Sequence, residues 1–250
     1  MDTNNSAFNW RLPPNTLDLQ PHQVDVWCAH LNIPNDSLKS LETTLSADET
    51  ERAAHFHFPA DRDRFIASHG FLRDVLARYL HCEPRQLIFS IGTYGKPALF
   101  ANSSQKKIEF NLSHSRDYAL VAVTWEHKVG IDVEWARQGI SSQVIARQYF
   151  SKSEVAELVA LPSEKWQAGF FNCWTRKEAY IKAQGQGLSL PLESFDVSLT
   201  PNEPAILRAT RPDQEEAARW TLLSLEIDPR YSSAVAVDAK SVEFRLWDWN

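Results

Sequence analysis

Two short β-branched runs, "YALVAV" (118–123) and "YSSAVAV" (231–237), echo each other, and each closes a helix-rich stretch of the chain. Helix-period segments alternating with runs of strand character restrict the fold to a mixed α+β architecture. Before the first run, "DRDRFIASHGFLRDVLARYLH" sets Phe65, Leu72, Val75, Leu76 and Tyr79 on one stripe at helical spacing, with Pro84 as its stop. Before the second, a helix is predicted from Glu164 to Gln184, broken by "GQGLSLP". The chain then divides into two α+β halves of similar design, residues 21–127 and 128–250, behind an extended arm at 1–20 that carries Pro13-Pro14. No long linker separates the halves, so the crevice between them is the natural ligand site.

Capping-box spacing predicts two further helix starts, at Ser46 with Glu49 and at Ser151 with Glu154. Strands are predicted at "LIFSI" (87–91), "KIEFNL" (107–112), "YALVAVTW" (118–125) and "KVGIDVEW" (128–135). "TYGKP" (93–97) reads as a turn, and "SHSRD" (113–117) as the link between two strands. The last quarter alternates like strands in "FDVSL", "RWTLLSLEI", "YSSAVAVDA" and "VEFRLWDW".

The totals narrow the partners. With 26 basic against 32 acidic residues the net charge is −6, so bulk charge favours neither nucleic acid nor an anionic membrane. An anionic ligand must be held by a local cluster of cations. Cys28, Cys82 and Cys173 are odd in number and lack C-x-x-C spacing, which argues against a zinc site or a disulfide framework. The first residues carry no signal-peptide pattern, and "YALVAVTW" is too short to span a bilayer. The expectation is a reducing, cytoplasmic setting.

"GIDVEW" (130–135) poses a local question. On a strand, Ile131, Val133 and Trp135 point one way and Asp132 and Glu134 together the other way. Two like charges on one face repel unless water or a cation lies between them. A wet sheet face would explain them without any function. The helix in "FFNCWTRKEAYIKA" weighs against that, because Phe170, Trp174, Lys177, Glu178, Ile181 and Lys182 share one stripe in which charges interrupt apolar residues. Glu178 and Lys182 also have the spacing of a surface ion pair. Two carboxylates on a strand and a third on a helix make a hard oxygen site, suited to Mg²⁺ shared with substrate phosphates. Neighbouring lysines would hold phosphate oxygens.

"GIDVE" followed by "WTRKEAYIKAQGQGLSLPLESF", with "YGKPAL" and "FNLSHS" upstream in the same order, resembles the signature of the 4'-phosphopantetheinyl transferases over roughly residues 45–200. The length is similar to the larger, pseudo-two-fold, monomeric type, with its active site in the cleft between halves. The resemblance implies transfer of phosphopantetheine from coenzyme A to a serine of an apo acyl or peptidyl carrier protein, leaving adenosine 3',5'-bisphosphate. It implies Mg²⁺ on Asp132, Glu134 and Glu178 together with the coenzyme A pyrophosphate. Glu178 would take the serine proton, directly or through water, and Lys182 would stabilise the leaving pyrophosphate. Lys177 would help bind coenzyme A or stand as a solvated lysine. Lys96 and Pro97 would lie near adenine and phosphates, and Ser113 and His114 near the 3'-phosphate.

The first-half phosphate cations are less regular. Arg62, Arg64 and Arg73 interleave with acids, with Arg64 favoured and Arg73 open to a structural ion pair. His55 and His57 would point apart on a helix and form no metal site. A docking patch for an acidic carrier falls on Arg137, Arg147 and Lys152 with Tyr149 and Phe150, against the alternative of a solvated helix face over a core aromatic pair. Fatty-acid, polyketide and nonribosomal-peptide carriers all stay open. A Mg²⁺-dependent coenzyme A phosphohydrolase and a non-catalytic coenzyme A binding module are the competing readings of the same residues.

Overall fold

The computed structural model describes residues 10–100, 107–137 and 142–249. In chain order the elements are β1 (Gln23–His30), α1 (Asn35–Glu42), α2 (Ala47–Ala54), α3 (Pro59–Leu80), β2 (Phe89–Ile91), β3 (Pro97–Leu99), β4 (Ile108–Ser115), β5 (Tyr118–Trp125) and β6 (Val129–Trp135). They continue with α4 (Gln143–Tyr149), α5 (Lys152–Ala160), α6 (Ser163–Gln184), β7 (Phe195–Val197), β8 (Leu207–Thr210), β9 (Thr221–Ser224), β10 (Tyr231–Val237) and β11 (Glu243–Asp248). One sheet has the order β11-β1-β5-β4 and a second β6-β10-β9, with β2–β3 and β7–β8 as separate hairpins.

The mixed α+β expectation holds, and the two echoing runs explain why. β5 lies between β1 and β4, and β10 between β6 and β9. Inner strands covered on both faces call for continuous runs of small and β-branched residues, which is what both sequences supply. Their first residues meet, with the Tyr118 and Tyr231 rings 5.0 Å apart. α3 and α6, 22 residues each, cover one sheet apiece. Phe71, Val75 and Leu76 of α3 share a core with Trp27, Phe110 and Val121. Phe170, Tyr180 and Ile181 of α6 share another with Leu222, Ala234 and Ala236. A third apolar layer joins the sheets to each other, with Val24, Val26 and Leu120 facing Ile131, Val133 and Val235.

Several local readings are corrected. β4 does not stop at Leu112 but runs to Ser115, pairing Ser115 with Tyr118 across a two-residue turn in which Arg116 takes the left-handed conformation (φ 49°). "SHS" is therefore strand, with Ser113 and Ser115 on one side and His114 on the other. α3 ends at Leu80, before Pro84, because His81 adopts a left-handed cap. β1 and α1 carried no signal that was read from the sequence. β11 pairs in parallel with β1, Gln23 opposite Glu243 through Cys28 opposite Asp248, so the last strand of the chain lies on the first half's sheet. Buried Asp25 anchors it by accepting from Arg245 Nε at 2.6 Å. Of the predicted N-terminal arm, residues 10–20 are described, and Arg11 bridges to Trp247. No helix among the described residues is long and apolar enough to cross a membrane.

Both capping boxes form as predicted. Glu49 does more than cap α2, because its carboxylate accepts Arg73 Nε at 2.6 Å and meets His69 Nδ1 at 3.1 Å. Arg73 is almost fully buried and also donates to the carbonyls of Pro84 and Leu87, so it is a structural residue. Burial pushes Glu49 up, but the hydrogen bonds from His69, the Ser46 amide and Arg73 outweigh it and bring its pKa down to about 2 from 4.5. A depressed carboxylate stabilises the fold above its unfolded pKa and loses that contribution as pH falls. Glu49→Gln is therefore expected to cost about 3 kcal/mol at pH 7 and progressively less below pH ~4.5. Urea unfolding of both proteins across that range checks it; a gap independent of pH rules the account out. His55 Nδ1 bonds the Glu51 carbonyl and His57 packs edge-on against Phe58, so neither joins a metal group.

Candidate active site

The site begins at Gly130. Gly130, Asp132 and Glu134 share one face of β6, and that face lies under α6. A Cβ at position 130 would stand 2.1 Å from the Ala179 carbonyl oxygen and 2.3 Å from the Ala183 nitrogen. Glycine opposite two alanines one turn apart lets the helix backbone lie directly on the strand. That approach carries Glu178 and Lys182 of α6 to the acidic face.

The other edge of β6 is held without a backbone ladder. Asn111 Oδ1, Ser113 Oγ and Ser115 Oγ, every second residue of β4, accept from the amides of Ile131 (2.9 Å), Val133 (3.3 Å) and Trp135 (3.1 Å). Amides at the edge of a buried strand need partners, and this comb of side chains supplies them. It also registers one half against the other.

At the centre, Lys182 Nζ donates to Asp132 Oδ1 at 2.6 Å and to Ser113 Oγ at 2.9 Å. Ser113 donates to the same Asp132 oxygen at 3.1 Å. Asp132 is 3% exposed, and its other oxygen, Oδ2, has no hydrogen-bond partner. Glu134 accepts from Ser115 Oγ at 3.2 Å. Burial and then the charge of Asp132 raise the Glu134 pKa to about 7. The same two causes raise Glu178, which has no hydrogen-bond or ion-pair partner among the described residues. The acids thus face one another and Lys182, and the question posed by "GIDVEW" is answered by α6 rather than by bulk water.

An orphaned buried oxygen beside two charge-crowded carboxylates is a donor set that fits a small divalent cation. No three Asp, Glu, His or Cys side chains among the described residues close into one ligand group. Two residues of strand separate Asp132 from Glu134 by about 7 Å, and Lys182 already occupies one Asp132 oxygen. Such a site leaves most of a cation's shell to water and substrate, as Mg²⁺ prefers.

The remaining predicted residues divide. Lys177 does not join the site. It is 1% exposed, pairs with Glu154 at 2.8 Å and donates to the carbonyls of Leu192 and Phe195. One residue along a helix turns a side chain by about 100°, so Lys177 enters the core while Glu178 faces β6. Lys96 lies at the tip of the β2–β3 hairpin, where Nζ donates to the carbonyls of Val129 (2.9 Å) and Ala183 (3.4 Å). Burial lowers its pKa to about 8. It straps the hairpin to β6 and the end of α6, and Pro97 opens β3 beside it. Ser113 is buried inside the acid–lysine cluster.

His114 lies on the opposite side of β4 from the comb, its residue partly open to solvent and its ring set among neighbouring cations. Its pKa is lowered by burial of the ring and then by the nearby charges of His69, Lys182, Arg52 and Arg64. Arg64 is half-buried and shared with Asp117 (3.1 Å) and Asp61 (3.4 Å). Arg52 and His69 were missed in the sequence, where nothing local ties either to "FNLSHS". Asn111 and Ser115 were missed too, although polar residues at every second position of an otherwise buried strand were a signal.

Known proteins resemble this chain along nearly all of its length. The model of the 4'-phosphopantetheinyl transferase superfamily matches residues 128–236, and that of a 4'-phosphopantetheinyl transferase N-terminal domain matches residues 33–126. The 4'-phosphopantetheinyl transferase HetI of Nostoc sp. is 39% identical over 240 residues, covering 96% of this chain and 98% of that protein. The 4'-phosphopantetheinyl transferase psf-1 of Bacillus pumilus is 33% identical, covering 79% and 81%. The 4'-phosphopantetheinyl transferase Sfp of Bacillus subtilis is 30% identical, covering 76% and 81%. A chain with this acid–lysine cluster, matched along nearly all of its length, belongs to the 4'-phosphopantetheinyl transferase superfamily.

Proposed function

We propose that this enzyme moves the 4'-phosphopantetheine group of coenzyme A to a serine of an apo acyl or peptidyl carrier protein, acting as a monomer. The observation that carries the reading is the Asp132–Lys182–Ser113 cluster, with Asp132 Oδ2 buried and unpartnered beside Glu134 and Glu178. Asp132, Glu134 and Glu178 would hold Mg²⁺, which when bound supplies charge neutralisation at the pyrophosphate. Glu178, made more basic by burial and by Asp132, takes the proton of the carrier serine. The serine oxygen bonds to the phosphorus that carries pantetheine, and the bond from that phosphorus to adenosine 3',5'-bisphosphate breaks. Lys182, already fixed by Asp132 and Ser113, faces the charge that builds on the leaving oxygen. Arg52 and Arg64 form the cationic side toward the 3'-phosphate, with His114 beside them as a neutral hydrogen-bond donor, a role for which Ser113 is placed too deep. Lys96 acts by holding the hairpin rather than as a free phosphate ligand.

The carrier would dock at the start of α5. There Arg147 and Lys152, with Arg211 from a separate loop, rim a groove of about 900 Å³ floored by Phe150 and Val155. Phe150 belongs to the core, while Arg147, Lys152 and Arg211 are exposed. Arg147→Glu is expected to raise the carrier KM about tenfold with kcat held, by charge opposition to an acidic partner. Steady-state kinetics against an apo carrier checks it, and an unchanged KM removes Arg147 from the interface.

Intact mass spectrometry of an apo carrier incubated with the enzyme, coenzyme A and Mg²⁺ tests the reaction. The expected result is a mass gain of one phosphopantetheine, absent without Mg²⁺. Release of nucleotide without any carrier would favour a hydrolase, and coenzyme A binding without turnover a binding module.

A further inference from the structure

The comb between β4 and β6 does unequal work along its length. Asn111 gives its side-chain oxygen to the Ile131 amide and touches no carboxylate in the hydrogen-bond network. Ser115 has one proton and lone pairs to place. Its oxygen accepts the Trp135 amide at 3.1 Å, and its proton goes to Glu134 Oε2 at 3.2 Å. That is the side-chain hydrogen bond Glu134 accepts among the described residues. The hydroxyl is fixed at the other end by a backbone amide of the same strand, so the carboxylate is tied to the residue that follows it. A glutamate with free rotors beside another acid would turn away from it, since Asp132 lies on the same face and repels it.

We propose that Ser115 is a positioning residue for the cation site: its hydroxyl clamps the Glu134 carboxylate against repulsion from Asp132, so that both acids address one divalent ion. The proposal rests on the reading of Glu134 as a Mg²⁺ ligand. The clamp acts before any ion arrives, because both of its bonds lie within the protein. It assigns a distinct purpose to the last tooth of a comb whose first tooth only joins the halves.

The test measures binding as well as turnover. Mn²⁺ affinity of the enzyme–coenzyme A complex is read by electron paramagnetic resonance, and Mg²⁺ half-saturation by carrier transfer. Loss of a residue that orients a metal ligand typically weakens metal binding by about tenfold or more. Ser115→Ala is expected to raise both constants by about that factor, with kcat at saturating Mg²⁺ preserved. Ser115→Thr, which keeps the hydroxyl, should restore them. Asn111→Ala removes an inter-sheet bond without touching a carboxylate, so it should lower thermal stability and leave both constants in place. If Ser115→Ala does not fold, Ser115→Cys keeps the volume and weakens the donor, and carries the same comparison. An unchanged Mn²⁺ affinity in the Ser115 variants overturns the clamp, as does an equal shift in Asn111→Ala. Glu134→Gln separates the two levels. If it leaves Mn²⁺ binding intact, the metal assignment itself falls and the clamp with it; if it weakens binding while Ser115→Ala does not, only the clamp falls.

Discussion

Glu178→Gln will fold, bind coenzyme A, and lose transfer by a factor of about 10²–10⁴, the range for removing a positioned acid–base group. The substitution keeps the shape of the side chain and removes only its charge and basicity. Glu178 holds no hydrogen bond or ion pair among the described residues, so the fold loses little. Its pKa is raised, by burial and by the charge of Asp132. A carboxylate so raised is a source of repulsion that appears as pH climbs above the ordinary acid range. Without added cation, the variant should therefore match or exceed the wild type in melting temperature at pH 8, and the difference should vanish near pH 4. Transfer rates from intact mass and melting curves from circular dichroism check both halves of the statement. Activity within tenfold of wild type would remove Glu178 from the chemistry. A melting temperature that collapses together with activity would make it structural.

Gly130→Ala is expected to destabilise the protein by more than about 4 kcal/mol, the range reserved for severe packing or backbone conflict, and to abolish transfer with it. The added methyl would meet backbone at 2.1 and 2.3 Å, from Ala179 and Ala183. Neither atom sits on a flexible side chain that could swing away. α6 must lift off β6, and the Lys182–Asp132 contact at 2.6 Å lies on the same interface. The glycine thus sets how near α6 comes to the acidic strand. Thermal and chemical denaturation decide the point: a variant that melts with the wild type shows that the helix can yield without penalty. In that case the close approach is not what holds the site.

Much of this site was legible before any coordinates. The strand period assigned Asp132 and Glu134 to one face, and the helix period put Glu178 and Lys182 together. Both patterns are set by backbone geometry within a few residues. Lys177 defeated the same reasoning. It lies on the edge of the predicted stripe, and its turn inward depends on Glu154 and on carbonyls 15 and 18 residues further along the chain. Lys96 is similar, because its partners Val129 and Ala183 are 33 and 87 residues away. A lysine in a turn motif looks free until the carbonyls that take its ammonium are known.

The sequence by itself determined the α+β alternation, both capping boxes, the break after Gln184 and the residues of the acid–lysine site. Each follows from local periodicity, from cap chemistry or from motifs whose order survives in the linear chain. The tertiary structure alone decided that β11 returns to the first sheet, that "SHS" is strand rather than turn, and that β4 and β6 are joined by side chains. It also decided which lysine serves the site. These depend on which distant group satisfies a buried amide, carbonyl or charge, and no local pattern encodes that partner.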